Sequence, residues 1–386
     1  MSAAPEGFAA PGFERVAEEF ERNFAERGEV GAAFAAYVDG VPVVDVWGGL
    51  ADRNAGVAWR ENTLVGVFSG TKGLVATCLL LLIERGQLEL DAPVCQYWPE
   101  FAAEGKEQVL VGDVVSHRAG LAGLLTPVSI EEATDDVRMA RLLAAQRPMA
   151  TRSDGPRYHA VTFGWLCGEL VRRVDGRSIG RFFAEEVAGK LELEAWIGLP
   201  ERYEPRVALL ERAEAFGSQQ GGMVVTRETD EVAWSIWSNP PRFSEDGLAG
   251  NLQAWHAAEI PATNGIATAR SLARLYGCLA RGGELDGVRL LAPETLERGR
   301  RCLARGQDPY LGEIAFATGF QLQTSELEMG PESDAFGHGG AGGSMHGAWP
   351  RLRVGFSYAP NQLAALDGAD LRAGALLDAL HAAVTT

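Results

Sequence analysis

Lysine is scarce in this chain. Its 386 residues include 32 arginines but only three lysines, Lys72, Lys106 and Lys190. The 35 basic side chains face 52 carboxylates, a formal charge of −17. Such a surface repels phosphate backbones and anionic lipid, so neither nucleic acid nor a membrane is an expected partner. Cysteine is scarce too. Cys78, Cys95, Cys167, Cys278 and Cys302 are odd in number, and no two stand at CxxC spacing. That argues against a disulfide framework and a zinc site, and for a reducing compartment. The six histidines, at positions 117, 159, 256, 338, 346 and 381, form no HExxH or similar ligand pattern. No metal and no organic cofactor is therefore expected. Long apolar runs are missing. Gly73–Ile83, the longest nearly apolar stretch, is about half of the ~20 residues that cross a bilayer. The first residues, Met-Ser-Ala-Ala-Pro-Glu-Gly, have neither a basic n-region nor an apolar h-region. The expectation is a soluble cytoplasmic protein.

What is present is ordinary in amount. Hydrophobic residues make up 46% and charged residues 23%, enough for a packed core. The length suits one large domain or two intimate ones. Phe13, Val16, Phe20 and Phe24 recur at helical spacing behind Pro11, which predicts an amphipathic first helix. Ala32–Val38 and Val41–Trp47 are β-prone runs joined by Asp39-Gly40, a hairpin signal. From Ser69 onward Leu74, Val75, Cys78, Leu79, Leu82 and Ile83 are apolar nearly all round a helix, with Gly86 as its C-terminal stop. A helix of that kind is buried. The middle of the chain reads as helical around Val111–Ser116, Ala160–Val174 and Ala267–Leu279, with a long loop at Trp234–Gly250. Strands are expected again at Glu313–Gln323 and Leu352–Tyr358, with the glycine-rich Gly337–Ser344 between them. A last helix runs from about Asp370 to Ala383. Sheet at both ends and helices between predict an α/β (α+β) domain of residues 1–68 and 310–386, with a mainly helical domain, 69–309, inserted.

Three features could carry chemistry. The first is Phe68-Ser69-Gly70-Thr71-Lys72. It puts a lysine one helical turn after a serine, on the same face. A serine hydroxyl is a weak nucleophile until a base takes its proton, and burial makes lysine such a base by disfavouring the ammonium. The helix N-terminus favours the alkoxide. The chain has 15 serines, and random order would set a serine three residues ahead of a lysine roughly 0.1 times, so chance explains the pair poorly. The second feature is Arg157-Tyr158-His159-Ala160, ahead of a helix. A tyrosine there can aim its phenol into a cleft, although a lone tyrosine or histidine is more often a packing residue. The third is Gly337-His338-Gly339-Gly340-Ala341-Gly342-Gly343-Ser344. Its formal G-x-G-x-x-G is no dinucleotide loop, since it neither follows an N-terminal strand nor opens a helix. Glycines here let a substrate approach an edge strand, where a backbone N–H can bind an oxyanion.

Taken together, Ser69-x-x-Lys72, Tyr158 and His338-Gly339-Gly340 resemble the penicillin-recognising serine hydrolases. The chain is most similar to the class C β-lactamase-related group that includes the family VIII carboxylesterases. Ser116-His117-Arg118-Ala119-Gly120-Leu121 and Tyr158-His159-x-x-Thr162-Phe163-Gly164-Trp165 support the likeness, which extends from about Gly31 to Tyr358. It implies an antiparallel sheet flanked by helices, plus a helical domain, with the site between. It also implies Ser69 as nucleophile, Lys72 as helper base and Tyr158 as proton shuttle. The backbone N–H groups of Ser69 and Ala341 would form the oxyanion hole, and His338, Gly339 and Gly340 would bind substrate.

Two departures from the lactamase pattern matter. Ala160 stands where lactamases carry an asparagine, and His338 replaces a lysine. The second change removes a fixed positive charge that would attract a carboxylate. Both tilt the expectation towards a carboxylesterase for small, short-acyl, neutral esters. An acyltransferase, or a β-lactamase or D-alanyl peptidase, would share the same acyl-enzyme. A non-catalytic binding protein on this fold is the reading from another class. Which of Trp234, Trp237, Trp255 and Trp349 line the pocket is open at this stage.

Overall fold

Asp39 and Gly40 both take positive φ, 48° and 84°, and close a two-residue turn between the strands Gly31–Val38 and Val41–Asp52. Positive φ at both turn residues matches the twist of the flanking strands. In the computed structural model, which describes residues 5–213, 216, 225–244, 247–326, 328–364 and 370–386, this hairpin joins a sheet built from both ends of the chain. From one edge the strands run Glu6–Ala9, Val41–Asp52, Gly31–Val38, Val354–Pro360, Met345–Trp349, Phe336–Gly339, Gln321–Leu322, Gly312–Phe316 and Ala304–Asp308. Every neighbouring pair is antiparallel. Ala36 faces Phe356 across the seam where the N-terminal and C-terminal portions meet.

Side chains alternate across this sheet. Phe34, Ala36, Phe356 and Tyr358 face Val16 and Phe20 of the helix Glu14–Glu26, and Leu376 and Leu380 of the helix Leu371–Val384. Ala35 and Tyr37 point the other way, to Ala273 of the helix Ala269–Ala280. A second, larger core is mostly helical and surrounds Thr71–Glu84. That helix is buried on all sides down to Leu82, as its uniform apolar sequence predicts. It ends at Arg85, after which Gly86 turns left-handed at φ 67°. The antiparallel sheet flanked by helices, with a helical portion inserted, is the β-lactamase/transpeptidase-like architecture. Among the described residues, no helix is long and apolar enough to cross a membrane.

Some expectations need correction. The segment Trp234–Gly250 is not all loop, because Glu231–Trp237 is helical, capped by Asp230. The glycine-rich segment does not merely connect strands. Phe336–Gly339 is itself a central strand, and Met345–Trp349 is another. Gly312–Phe316 and Gln321–Leu322 are separate strands. We propose to keep the two-domain division, with Ala269–Ala280 and Ala304–Asp308 assigned to the sheet side.

The helix Ala269–Ala280 lies against the sheet at Gly355. A Cβ there would meet Gly277 N at 2.0 Å and Tyr276 C at 2.4 Å, both backbone atoms. Gly355→Ala should therefore cost about 3 kcal/mol, at the upper end of overpacking penalties. Gly374→Ala, in a helix with nothing within 4 Å of the new methyl, should gain roughly 0.5–1 kcal/mol. Chemical denaturation of the two variants checks the pair. Equal stabilities would contradict the close helix–sheet contact.

Candidate active site

The turn ahead of the buried helix is strained. Phe68 has φ 45°, a left-handed conformation that L residues with a Cβ seldom adopt. The helix proper begins at Thr71, so Ser69 sits just before it rather than inside it. Thr71 Oγ1 donates to Phe68 O at 2.6 Å and accepts from Gly265 N at 2.8 Å. Gly70 is required here, since a Cβ would meet His346 Cδ2 at 2.4 Å and Val67 O at 2.9 Å.

Three expected residues converge on one oxygen. Lys72 Nζ lies 3.1 Å from Ser69 Oγ, and the Tyr158 hydroxyl donates to the same Oγ at 2.8 Å. Lys72 is fully buried. Its Nζ donates to Ala160 O at 2.8 Å and to Ala262 O at 2.9 Å, and it sits 4.8 Å from the centre of the Tyr158 ring. Burial without a carboxylate pushes the Lys72 amine well below the ordinary lysine range, and the Arg242 charge adds to this. A neutral amine has two N–H donors and one lone pair. The two carbonyls take the donors, which leaves the lone pair for the Ser69 proton. Burial moves the Tyr158 phenol the opposite way, upward, against smaller lowering by Ser69 and Arg242. It rests protonated.

Tyr158 is held from several sides. Its N–H donates to Asp308 Oδ2 at 2.8 Å. Phe316 stacks on its ring at 5.9 Å and Trp237 at 6.3 Å, and His117 lies at 5.0 Å. Trp237 is thus the tryptophan beside the Ser69, Lys72 and Tyr158 cluster. Trp349 is buried in the core under the sheet, where its Nε1 donates to Met329 O. Trp255 lies in the helical core, and Trp234 stacks with Arg227. His159 is a packing residue, bonded to Arg157 O and accepting from Leu121 N.

The glycine run packs on the serine turn. A Cβ on Gly340 would meet Val67 O at 2.5 Å and Ser344 Oγ at 2.3 Å. That approach sets Ala341 in the same apolar cluster as Phe68. Among the described residues, neither Ser69 N nor Ala341 N makes a backbone hydrogen bond in the turns and loops. His338 is buried, with Nδ1 2.7 Å from Gly339 O and Nε2 without a partner. Burial, then the nearby Lys72, lower its pKa to about 3, so the ring is neutral at physiological pH.

Sequence reasoning missed several residues. Asp308 and His346 support Tyr158 and the Ser69 turn from distant strands, and nothing in their local sequence marks them. Arg242 is a buried cation near Lys72 and Tyr158. Among the described residues, no three His, Cys, Asp or Glu side chains converge as a metal site requires.

This geometry, a serine between a buried lysine and a tyrosine at the junction of sheet and helices, is that of a serine hydrolase. The family model described as "Beta-lactamase" matches residues 17–381, and the chain belongs to that family. It is 37% identical over 365 residues to the esterase/beta-lactamase LipL of Mycobacterium tuberculosis, which covers 92% of this chain and 83% of LipL. Among solved structures, a family VIII carboxylesterase superposes with TM-score 0.90 at 35% identity, over 99% of this chain and 100% of the other. A penicillin-binding protein homologue from Caulobacter crescentus gives the same TM-score, 0.90, at 37% identity, again over 99% and 100%.

The buried histidines predict an acid-sensitive fold. The pKa values of His338 and His346 are held near about 3 and that of His159 near about 4, all by burial. Unfolded, each returns to ~6.5. Between those values the unfolded chain binds more protons, so stability falls as pH drops below ~6.5, by up to ~1.4 kcal/mol per pH unit per histidine. His346→Gln should remove close to one proton from the uptake measured calorimetrically on unfolding at pH 5. Unchanged uptake would contradict a neutral, buried His346.

Proposed function

We propose that this chain is a serine carboxylesterase that cleaves small, short-acyl carboxylic esters through a Ser69 acyl-enzyme. The observation that carries this reading is the convergence of Lys72 Nζ and the Tyr158 hydroxyl on Ser69 Oγ, at 3.1 and 2.8 Å. Their opposite pKa shifts divide the work. As Ser69 Oγ attacks the ester carbonyl, its proton passes to the Lys72 amine, which becomes an ammonium. Tyr158 gives its proton to the departing alkoxide and becomes a phenolate. In the second half, water loses a proton to that phenolate and attacks the acyl carbonyl. Lys72 then returns its proton to Ser69 Oγ. The N–H groups of Ser69 and Ala341 would hold the oxyanion in both halves. His338, Gly339 and Gly340, at the end of a central strand, would bind substrate.

Esters are favoured over lactams and peptides by three observations. Ala160 cannot supply the amide of the lactamase asparagine, and His338 is neutral where lactamases hold a lysine. A solved family VIII carboxylesterase matches nearly the whole chain, while LipL, which also does, is named for both esterase and beta-lactamase. A reducing compartment such as the cytoplasm suits its unpaired cysteines.

Ser69→Ala should abolish both ester turnover and labelling by a fluorophosphonate, with the fold retained. Activity within tenfold of wild type would eliminate Ser69 as nucleophile, and an unlabelled wild type would favour a binding protein. p-Nitrophenyl butyrate, nitrocefin, a D-alanyl peptide and an added alcohol acceptor, assayed side by side, separate the esterase from its neighbours.

Lys72→Ala and Tyr158→Phe should each lower kcat by at least ~10²-fold, as for general acid–base groups. Because the two serve one proton circuit, the double variant should lose far less than the product of the single losses. Fully multiplicative losses would mean that Lys72 and Tyr158 contribute independently rather than through one proton circuit.

A further inference from the structure

Arg242 is about 8% exposed and no carboxylate neutralises it among the described residues. Its Nη2 donates to Ile236 O and Trp237 O, each at 3.3 Å, and its Nε is buried with no acceptor. Two aromatic pairs position it. Trp237, whose carbonyl it holds, stacks on Tyr158. On the other side its guanidinium carbon lies 5.5 Å from the Phe243 ring, and Phe243 stacks on Phe68, next to Ser69, at 6.1 Å. The guanidinium is therefore tied to the walls behind both Tyr158 and Ser69. Burial lowers its pKa only to about 10, so it is a cation at neutral pH.

The other arginine buried among the described residues, Arg372, shows the difference. Its guanidinium meets Glu29 at 3.2 Å and Asp370 at 2.7 Å. A buried guanidinium with an unused N–H is an incomplete pair, because its planar fork matches a carboxylate with two parallel hydrogen bonds. Such orphaned donors call for an explanation. The walls that hold Arg242 are those of the reacting serine, which makes the missing anion part of the substrate.

We propose that Arg242 is a specificity-determining residue that recognises a carboxylate on the substrate, so that the preferred esters carry an anionic group close to the scissile bond. This rests on the esterase reading above and reverses the neutral-ester preference inferred from His338. The lost lysine charge is replaced from a different segment of the chain.

The test compares matched ester pairs in wild type and Arg242→Met. One pair is p-nitrophenyl hemisuccinate and p-nitrophenyl butyrate, with the charge on the acyl side. The other is acetoxyacetate and ethyl acetate, with the charge on the alcohol side. In at least one pair, the anionic-to-neutral ratio of kcat/KM should fall at least tenfold in the variant, mainly through KM. Arg242→Lys should recover part of the ratio, since it keeps the charge and loses the fork. Equal losses on both members of both pairs, as a structural role would give, overturn the proposal, as do unchanged ratios. If Arg242→Met does not fold, wild type serves alone. Glutarate should then inhibit butyrate hydrolysis competitively and glutaramide should not, and equal inhibition by the two overturns the proposal. Failure of wild type to hydrolyse any of these esters overturns the esterase reading itself, a result distinct from butyrate hydrolysis with an unmoved ratio.

Discussion

A lysine amine buried with no carboxylate beside it is the constraint on which this site depends. Burying an ammonium costs several kcal/mol unless it is paired or gives up its proton. Lys72 meets only neutral partners, the carbonyls of Ala160 and Ala262 and the Ser69 hydroxyl. Those partners come from three separate segments, so the amine is placed only when the buried helix, the Tyr158 segment and the turn after Pro261 have all converged. Arg242 adds repulsion from a fourth segment. Lys106 marks the limit of the argument from burial. It too is buried and donates to two carbonyls, Ala103 O and Gln146 O, at 2.6 Å. Among the described residues it bonds to no serine hydroxyl, and we read it as a structural lysine.

The charge of the molecule is divided in the same way. The chain carries −17 formally, yet the two side chains that meet Ser69 Oγ are an amine and a phenol, with the Asp308 carboxylate one step back on the Tyr158 N–H. His117, His159, His338 and His346 are all driven neutral by burial. In the proposed acyl transfer, an oxyanion would meet the N–H groups of Ser69 and Ala341, and a Tyr158 phenolate would be favoured by Arg242 and opposed by Asp308 and Glu328.

Much of this was legible in the sequence, for physical reasons that differ by residue. The helix Thr71–Glu84 was readable because it is apolar all round, and Ser69 and Lys72 because a lysine in such a helix is conspicuous. Tyr158 gained its meaning only from the family resemblance. Its backbone partner Asp308 lies 150 residues away, and local sequence carries no trace of that pairing. The strand Phe336–Gly339 was read as a connection because glycine has little intrinsic β propensity. Its glycines instead fit where backbone comes close, since a Cβ on Gly337 would stand 2.1 Å from His346 O. Arg242 was hidden among 32 arginines, in a segment rich in turn residues. Only the fold shows that this one, among the described residues, is buried with no carboxylate to neutralise it.

The central claim is that Lys72 is a neutral amine poised to take the Ser69 proton. The direct measurement is the titration of Lys72 Nζ by nitrogen NMR in the folded protein, assigned with a Lys72→Arg variant. The account requires Lys72 to titrate well below an ordinary lysine, and to move back upward when Arg242 is replaced by methionine. A Lys72 ammonium that titrates at the usual lysine value, unmoved by Arg242, would contradict it.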